Sequence, residues 1–196
     1  MISLQKCRSS LKLLLIFLAM LSPFSAMSEE ARVLELSVQE TKAFTKGLSY
    51  ELMFRKLARQ VFTELEQNPS GEMKSESIAL LNRIENHNSL VMNPVREQFG
   101  VDTRIGCGDK AFATTVTWVL KVMPSLGFQY LEGSARRFVV QLEDIASISP
   151  PVYEKEMNYM VEHERALYRY LVEFNDGNYS KADSVFEDFI EQYHIK

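Results

Sequence analysis

Five residues carry the chemistry this sequence offers: Glu51, Glu85, His87, His163 and Glu164. Carboxylate and imidazole groups bind metals, carry protons and make ion pairs. Burying either as a lone charge is costly, so they need partners wherever they fall among apolar residues. In "YMVEHERALYRYL" (159–171) an apolar stripe runs past His163 and Glu164. At heptad spacing the row is Tyr153, Met157, Met160, Glu164, Leu167, Leu171 and Phe174, which gives Glu164 a core-type position. His163 falls on the adjacent row with Met160, Leu167, Tyr170 and Phe174. Further upstream, the row Leu80, Ile84, His87, Val91 puts His87 in line with a core, and Glu85 lies one row over beside Leu81 and Asn88. Earlier still, Thr41, Phe44, Leu48, Glu51, Arg55 and Ala58 form a row that includes Glu51. Glu132 and Glu143 sit nearer the edges of their helical stretch.

The elements that position these groups are delimited by breaks at "NPSGE" (68–72), "FGVDTRIGCGD" (99–109), "MPSLG" (123–127), "SISPP" (147–151) and "NDGN" (175–178). Apolar residues recur at helical spacing between them. The pattern predicts helices near 38–67, 72–97, 109–122, 127–147, 151–175 and 179–193. Gly47 weakens the first and could mark a bend. Pro94 lacks a donor and clashes with the preceding turn, so the second should kink or end nearby. The third, "DKAFATTVTWVLKVM", is the most apolar and reads as a buried helix capped by Asp109. Ser149 before Pro150 and Pro151 starts the fifth, and Gly177 stops it. No alternating strand pattern competes over any length. The expected class is all-α: a single-domain bundle of about four long helices plus two shorter ones.

The first residues, "MISLQKCRSSLKLLLIFLAMLSPFSAMSEEA", place Lys6, Arg8 and Lys12 before an apolar run from Leu13 to Leu21, followed by small residues. This is the order of a secretory signal peptide, with a core too short for a spanning helix of about 20 residues. Cleavage after Ser28 divides the chain into a 1–28 signal peptide and a 29–196 helical domain. The expected location is periplasmic or secreted, with no integral membrane segment after cleavage. Loss of three cations takes the formal charge from -4 to -7, which gives no general attraction for nucleic acid or anionic membrane. Cys107 alone remains, so no internal disulfide forms. In an oxidising compartment Cys107 is either buried and inert or pairs with a partner; the Gly-rich "IGCGD" turn allows exposure, and a buried structural cysteine is the preferred reading.

The inward acids and histidines give the helical region a loose resemblance to the ferritin-like bundles, in which carboxylates and histidines from four helices hold two metal ions. That resemblance implies a di-metal carboxylate protein with oxidase or metal-handling activity, using iron or manganese bound by Glu51, Glu85, His87, His163 and Glu164. The family pairs a Glu with a His three residues later. Here the residue three after Glu85 is Asn88, and three after Glu164 is Leu167. The ion-pair reading needs no metal: Glu51 pairs with Arg55 one turn later, and Glu164 pairs with Arg136 or Arg137 from the fourth helix. The stretch 166–193, with its "DGNYSKA" turn, Ala182 and Phe186, resembles one tetratricopeptide-type hairpin and implies two antiparallel helices closing the bundle. There is no Gly-rich phosphate loop, paired-Cys motif or nucleophile elbow. The preferred functional expectation is an exported, non-enzymatic domain that binds a partner protein or small apolar ligand, without cofactor.

Overall fold

A computed structural model describes residues 37–68, 75–101 and 103–195. The expected signal segment and its cleavage site lie outside these residues. Among the described residues the fold is all-α, with no strand. The helices are α1 (Val38–Gln67), α2 (Ser75–Val91), α3 (Asn93–Gln98), α4 (Cys107–Val122), α5 (Pro124–Ser147), α6 (Glu154–Asn175) and α7 (Tyr179–Gln192). No described helix is long and apolar enough to cross a membrane.

Local chemistry sets the boundaries. Ser37 Oγ accepts from the Glu40 amide at 3.2 Å and the Glu40 carboxylate accepts from the Ser37 amide at 2.8 Å. This reciprocal capping box starts α1. Pro94 ends α2 at Val91 and sits in the first turn of α3, where its missing donor is harmless. The Asp109 carboxylate accepts from the Gly106 amide at 2.8 Å, so α4 begins at Cys107, two residues before the expected start. A 3-10 turn at Pro151–Tyr153 leads into α6. Gly177, at φ +79°, closes α6, with the Asn178 amide donating to the Glu173 carbonyl at 2.9 Å.

Side-chain contacts give the directions. Arg55 meets Glu85 while Glu66 meets Asn82, so α1 and α2 are antiparallel. Glu143 meets Arg165 while Glu132 meets Asn175, so α5 and α6 are antiparallel. Tyr170 stacks on Phe186 and Phe174 meets Tyr179, which makes α6 and α7 the antiparallel hairpin expected at 166–193.

The apolar interior is in two parts. One cluster holds Leu57, Val61 and Leu65 of α1 with Ile78, Ile84, Phe128, Tyr170, Phe174 and Phe186. The other holds Phe44, Leu48 and Leu52 of α1 with Met92, Val95, Leu142, Met157 and Met160. Arg55 and Glu51 lie on α1 between them.

Three expectations are corrected. Only Ala113, Thr117 and Leu120 of α4 are buried, and Trp118 is 54% exposed. The apolar character of this helix comes from residues on both faces, so it covers a flank instead of threading the core. Cys107 is exposed because it opens α4 at the surface. Gly47 lies within a continuous α1. An added Cβ there would meet Ile145 Cγ1 at 2.8 Å, so this glycine serves the close approach of α5.

Candidate functional site

Four of the five sequence-selected residues come together. Glu51 and Arg55 lie one turn apart on α1, Glu85 on α2, and His163 and Glu164 on α6. Their helical rows face one another because Arg55 sits opposite Glu85 in the antiparallel α1/α2 pair. Arg55 uses a different nitrogen for each carboxylate. Nε donates to Glu51 Oε1 at 2.9 Å and Nη1 donates to Glu85 Oε1 at 2.7 Å. Nη2 lies 2.6 Å from Glu164 Oε2. None of these four side chains is more than 5% exposed. Arg59 adds a long contact at 3.4 Å from Nη1 to the Glu85 carbonyl.

Three carboxylates around one guanidinium cannot all be ionised cheaply in a dry interior. Burial pushes Glu51 and Glu85 above their ordinary values, against the attraction of Arg55. Burial pushes Glu164 up to about 8; Arg55 opposes the rise, and Glu51 and Glu85 add to it. Burial thus favours the protonated form within this group of three carboxyls, with Glu164 pushed into the neutral range. The three carboxyl groups raise the Arg55 guanidinium further, overcoming its desolvation, so it stays charged. Burial holds His163 well below the usual imidazole range, and the charges of Arg55 and Arg59 push it the same way. It is a neutral ring at pH 7. Its Nε2 lies 3.7 Å from Glu85 Oε1, too far for a hydrogen bond. Glu85 Oε2, Glu164 Oε1, His163 Nδ1 and both polar atoms of the Asn88 amide are buried without a hydrogen-bond partner among the described residues.

This layer can hold a proton and lock three helices in register. It has no exposed member through which a substrate could reach it. The donor set does not fit a metal ion as arranged, because the guanidinium occupies the point on which the three carboxylates converge. Among the described residues no group of three or more His, Cys, Asp and Glu has metal-binding geometry.

Two expected placements change. His87 is half-buried, with its ring centroid 5.6 Å from that of Tyr159. Buried Glu85, Asn88 and Ile84 take the inward face of α2, which turns His87 to the α6 side. Arg136 and Arg137 are exposed on α5, flanking the inward Ala135, and the partner of Glu164 is Arg55. Glu132 accepts from Asn175 at 2.6 Å, and Glu143 pairs with Arg165 at the surface. Both are edge positions, as expected.

Sequence reasoning missed a second feature. The outer faces of α4 and α5 carry Trp118, Val122, Met123, Leu126, Tyr130 and Val140, each between 41% and 57% exposed. The helices join at Met123, and Gly127 lets them close: an added Cβ would lie 2.8 Å from Leu120 Cδ2. The signal was present in the pattern. Leu126, Tyr130 and Val140 fall opposite the row of Leu131, Ala135, Phe138 and Leu142 that reads as inward. No family model, curated protein or solved structure matches the chain.

Proposed function

We propose that this protein is an exported, non-enzymatic helical domain that binds a partner protein through the outer faces of α4 and α5. One observation carries the reading: these faces hold large apolar residues where a self-sufficient bundle places polar ones. The N-terminal order of charge, apolar run and small residues supports export. An exposed ridge suits a protein surface better than a small apolar ligand, which requires an enclosing cavity. The depressions at Gly177–Lys181 and beside Val152, Lys155 and Tyr193 are shallow and open. The acidic balance disfavours nucleic acid.

A photo-crosslinking amino acid at Leu126 tests the reading, with the same group at exposed Glu187 on α7 as the control. Covalent capture of a protein from Leu126 and not from Glu187, in the compartment where the chain accumulates, supports it. Equal labelling from both positions sinks it. The alternative, a di-metal carboxylate protein holding iron or manganese, requires Arg55 to leave the centre of its carboxylates. Elemental analysis of natively isolated protein decides between them: about two metal ions per chain, as in ferritin-like bundles, would overturn the binding-domain reading.

A further inference from the structure

The outermost stripe of α5 has an internal symmetry. At about 3.6 residues per turn, Leu126, Tyr130, Gly133, Arg137 and Val140 fall in one narrow row opposite buried Phe128, Ala135 and Leu142. Leu126 is 57% exposed, Tyr130 50% and Val140 56%, and Arg137 is also exposed. Gly133 stands at the centre of the row.

The glycines of the described helices make Gly133 conspicuous. Added Cβ atoms at Gly47 and Gly127 would run into Ile145 and Leu120, so neighbours within the fold explain those two. At Gly133 nothing lies within 4 Å, and the backbone has no positive φ. A mid-helix glycine destabilises a helix relative to alanine, through the extra backbone freedom lost on folding. Here that cost secures no contact inside the molecule. What it creates is a flat spot, where another helix can approach the α5 backbone closely.

We infer that the partner on this face is a second copy of the chain, docked α5 against antiparallel α5 with Gly133 at the two-fold axis. The inference rests on the protein-binding reading and names its occupant. A two-fold interface must be self-complementary: if residue i meets j, then j meets i. The apolar ends of the row satisfy this about Gly133, and Tyr130 and Arg137 satisfy it to within one residue. Leu126 and Val140 each lie seven residues from it, so each apolar end meets the other's apolar end. Tyr130 lies three residues before it and Arg137 four after, so each guanidinium meets a phenol ring, a favourable cation–π pairing. Within one copy Arg137 donates a 3.2 Å hydrogen bond to Ser134 on its own helix and its charge reaches the Tyr50 phenol of α1, while the residue itself stays exposed. A parallel pair would instead set Arg137 against Arg137. Trp118 and Val122, on the adjoining face of α4, widen the contact beyond one helix pair.

The test is disulfide trapping in the full chain with Cys7 and Cys107 both changed to Ser. Gly133→Cys alone should oxidise to a covalent dimer. Leu126→Cys and Val140→Cys should cross-link when mixed, and far less when either is present alone. Separately, Gly133→Leu should weaken self-association by about tenfold or more, equivalent to about 1.4 kcal/mol, while leaving the diluted monomer at least as heat-stable as the parent. Equal cross-linking in every combination, or a monomeric parent at about 100 μM (a dissociation constant weaker than roughly -5.5 kcal/mol), would overturn the inference. If self-association is absent but Leu126 still captures a different protein, the binding-domain reading stands and only the second copy is excluded. If neither occurs, both fall.

Discussion

The layer at Arg55 and the outer stripe of α5 are mirror images of one problem. The first puts charges where apolar side chains belong; the second puts apolar side chains where charges belong. The interior mismatch is answered within the chain. Each of three carboxylates finds a nitrogen of one guanidinium, and burial lowers the surplus negative charge by pushing the carboxyl groups toward their protonated forms. The exterior mismatch has no answer among the described residues, where Leu126, Tyr130 and Val140 remain half-exposed or more. A fold can compensate a buried polar group with its own residues, but a large exposed apolar stripe is covered only by another molecule. The interior feature should therefore govern stability and the exterior one association, and substitutions can test that separation.

The largest effect is expected at Arg55. Arg55→Met removes the cation that pairs with all three buried carboxyl groups, and loss of one member of a buried ion pair costs about 3–5 kcal/mol. Urea unfolding should show a correspondingly lower midpoint. A change within about 0.5 kcal/mol, typical of surface substitutions, would mean that the layer is solvated.

Next is the response to pH. Glu164 titrates near 8 in the folded chain and at its ordinary acidic value when unfolded. Between these values the folded state binds the extra proton, so its stability falls as pH rises and levels off above about 8. Glu51 and Glu85 are shifted in the same direction. His163 has the opposite sign: the unfolded state binds its proton below the usual imidazole value, so acidification there destabilises. Stability should decline from about pH 6.5 to 8, by up to about 1.4 kcal/mol per pH unit for one proton. Glu164→Gln should flatten that decline. A parent chain whose stability rises across this interval would break the proton assignment.

Two glycines sharpen the contrast at smaller scale. Gly47→Ala forces a methyl group into Ile145 and should destabilise by about 1–3 kcal/mol, as overpacking does. Gly133→Ala meets nothing within 4 Å, so gained helix propensity should stabilise the monomer by about 0.5–1 kcal/mol. Thermal melts of dilute protein distinguish the two by sign. The smallest effect is expected for Leu126→Ser, whose monomer should stay within about 0.5 kcal/mol of the parent in urea unfolding.

Much of this architecture was legible because helical periodicity and breaks are local signals. Pro94 and Gly177 marked ends that the structure confirms. The inward placement of Glu51 and Glu164 followed from their rows and that of His163 from the adjacent apolar row, whereas Glu85 was read one row off the core that it in fact faces. The Glu51–Arg55 pair followed from one-turn spacing. The convergence on Arg55 was not legible, because spacing along a chain does not say which helices become neighbours. Arg136 and Arg137 were the expected partners for Glu164, but both lie exposed on α5 and Arg55 of α1 takes that place. His87 misled for a related reason: Ile84, Glu85 and Asn88 define an inward face that turns it aside. The α5 stripe was less legible, because an apolar residue on an outward row stands out only once the inward face of its helix is known.

The division of the interior has a consequence for how the molecule opens. Helix α1 supplies Phe44, Leu48 and Leu52 to one apolar cluster and Leu57, Val61 and Leu65 to the other. Helix α6 likewise gives Met157 and Met160 to one, and Tyr170 and Phe174 to the other. Helix α5 does the same with Leu142 in one and Phe128 and Ala135 in the other, while α4 and α7 contribute at one level. Loosening one cluster need not expose the other, so slow amide exchange should divide into two cooperative units with different opening free energies. The amides around Arg55 and Glu164, at the seam, are held by whichever unit remains closed. They should exchange last, at the rate set by global unfolding, which would make the most polar level of the interior the slowest to meet solvent.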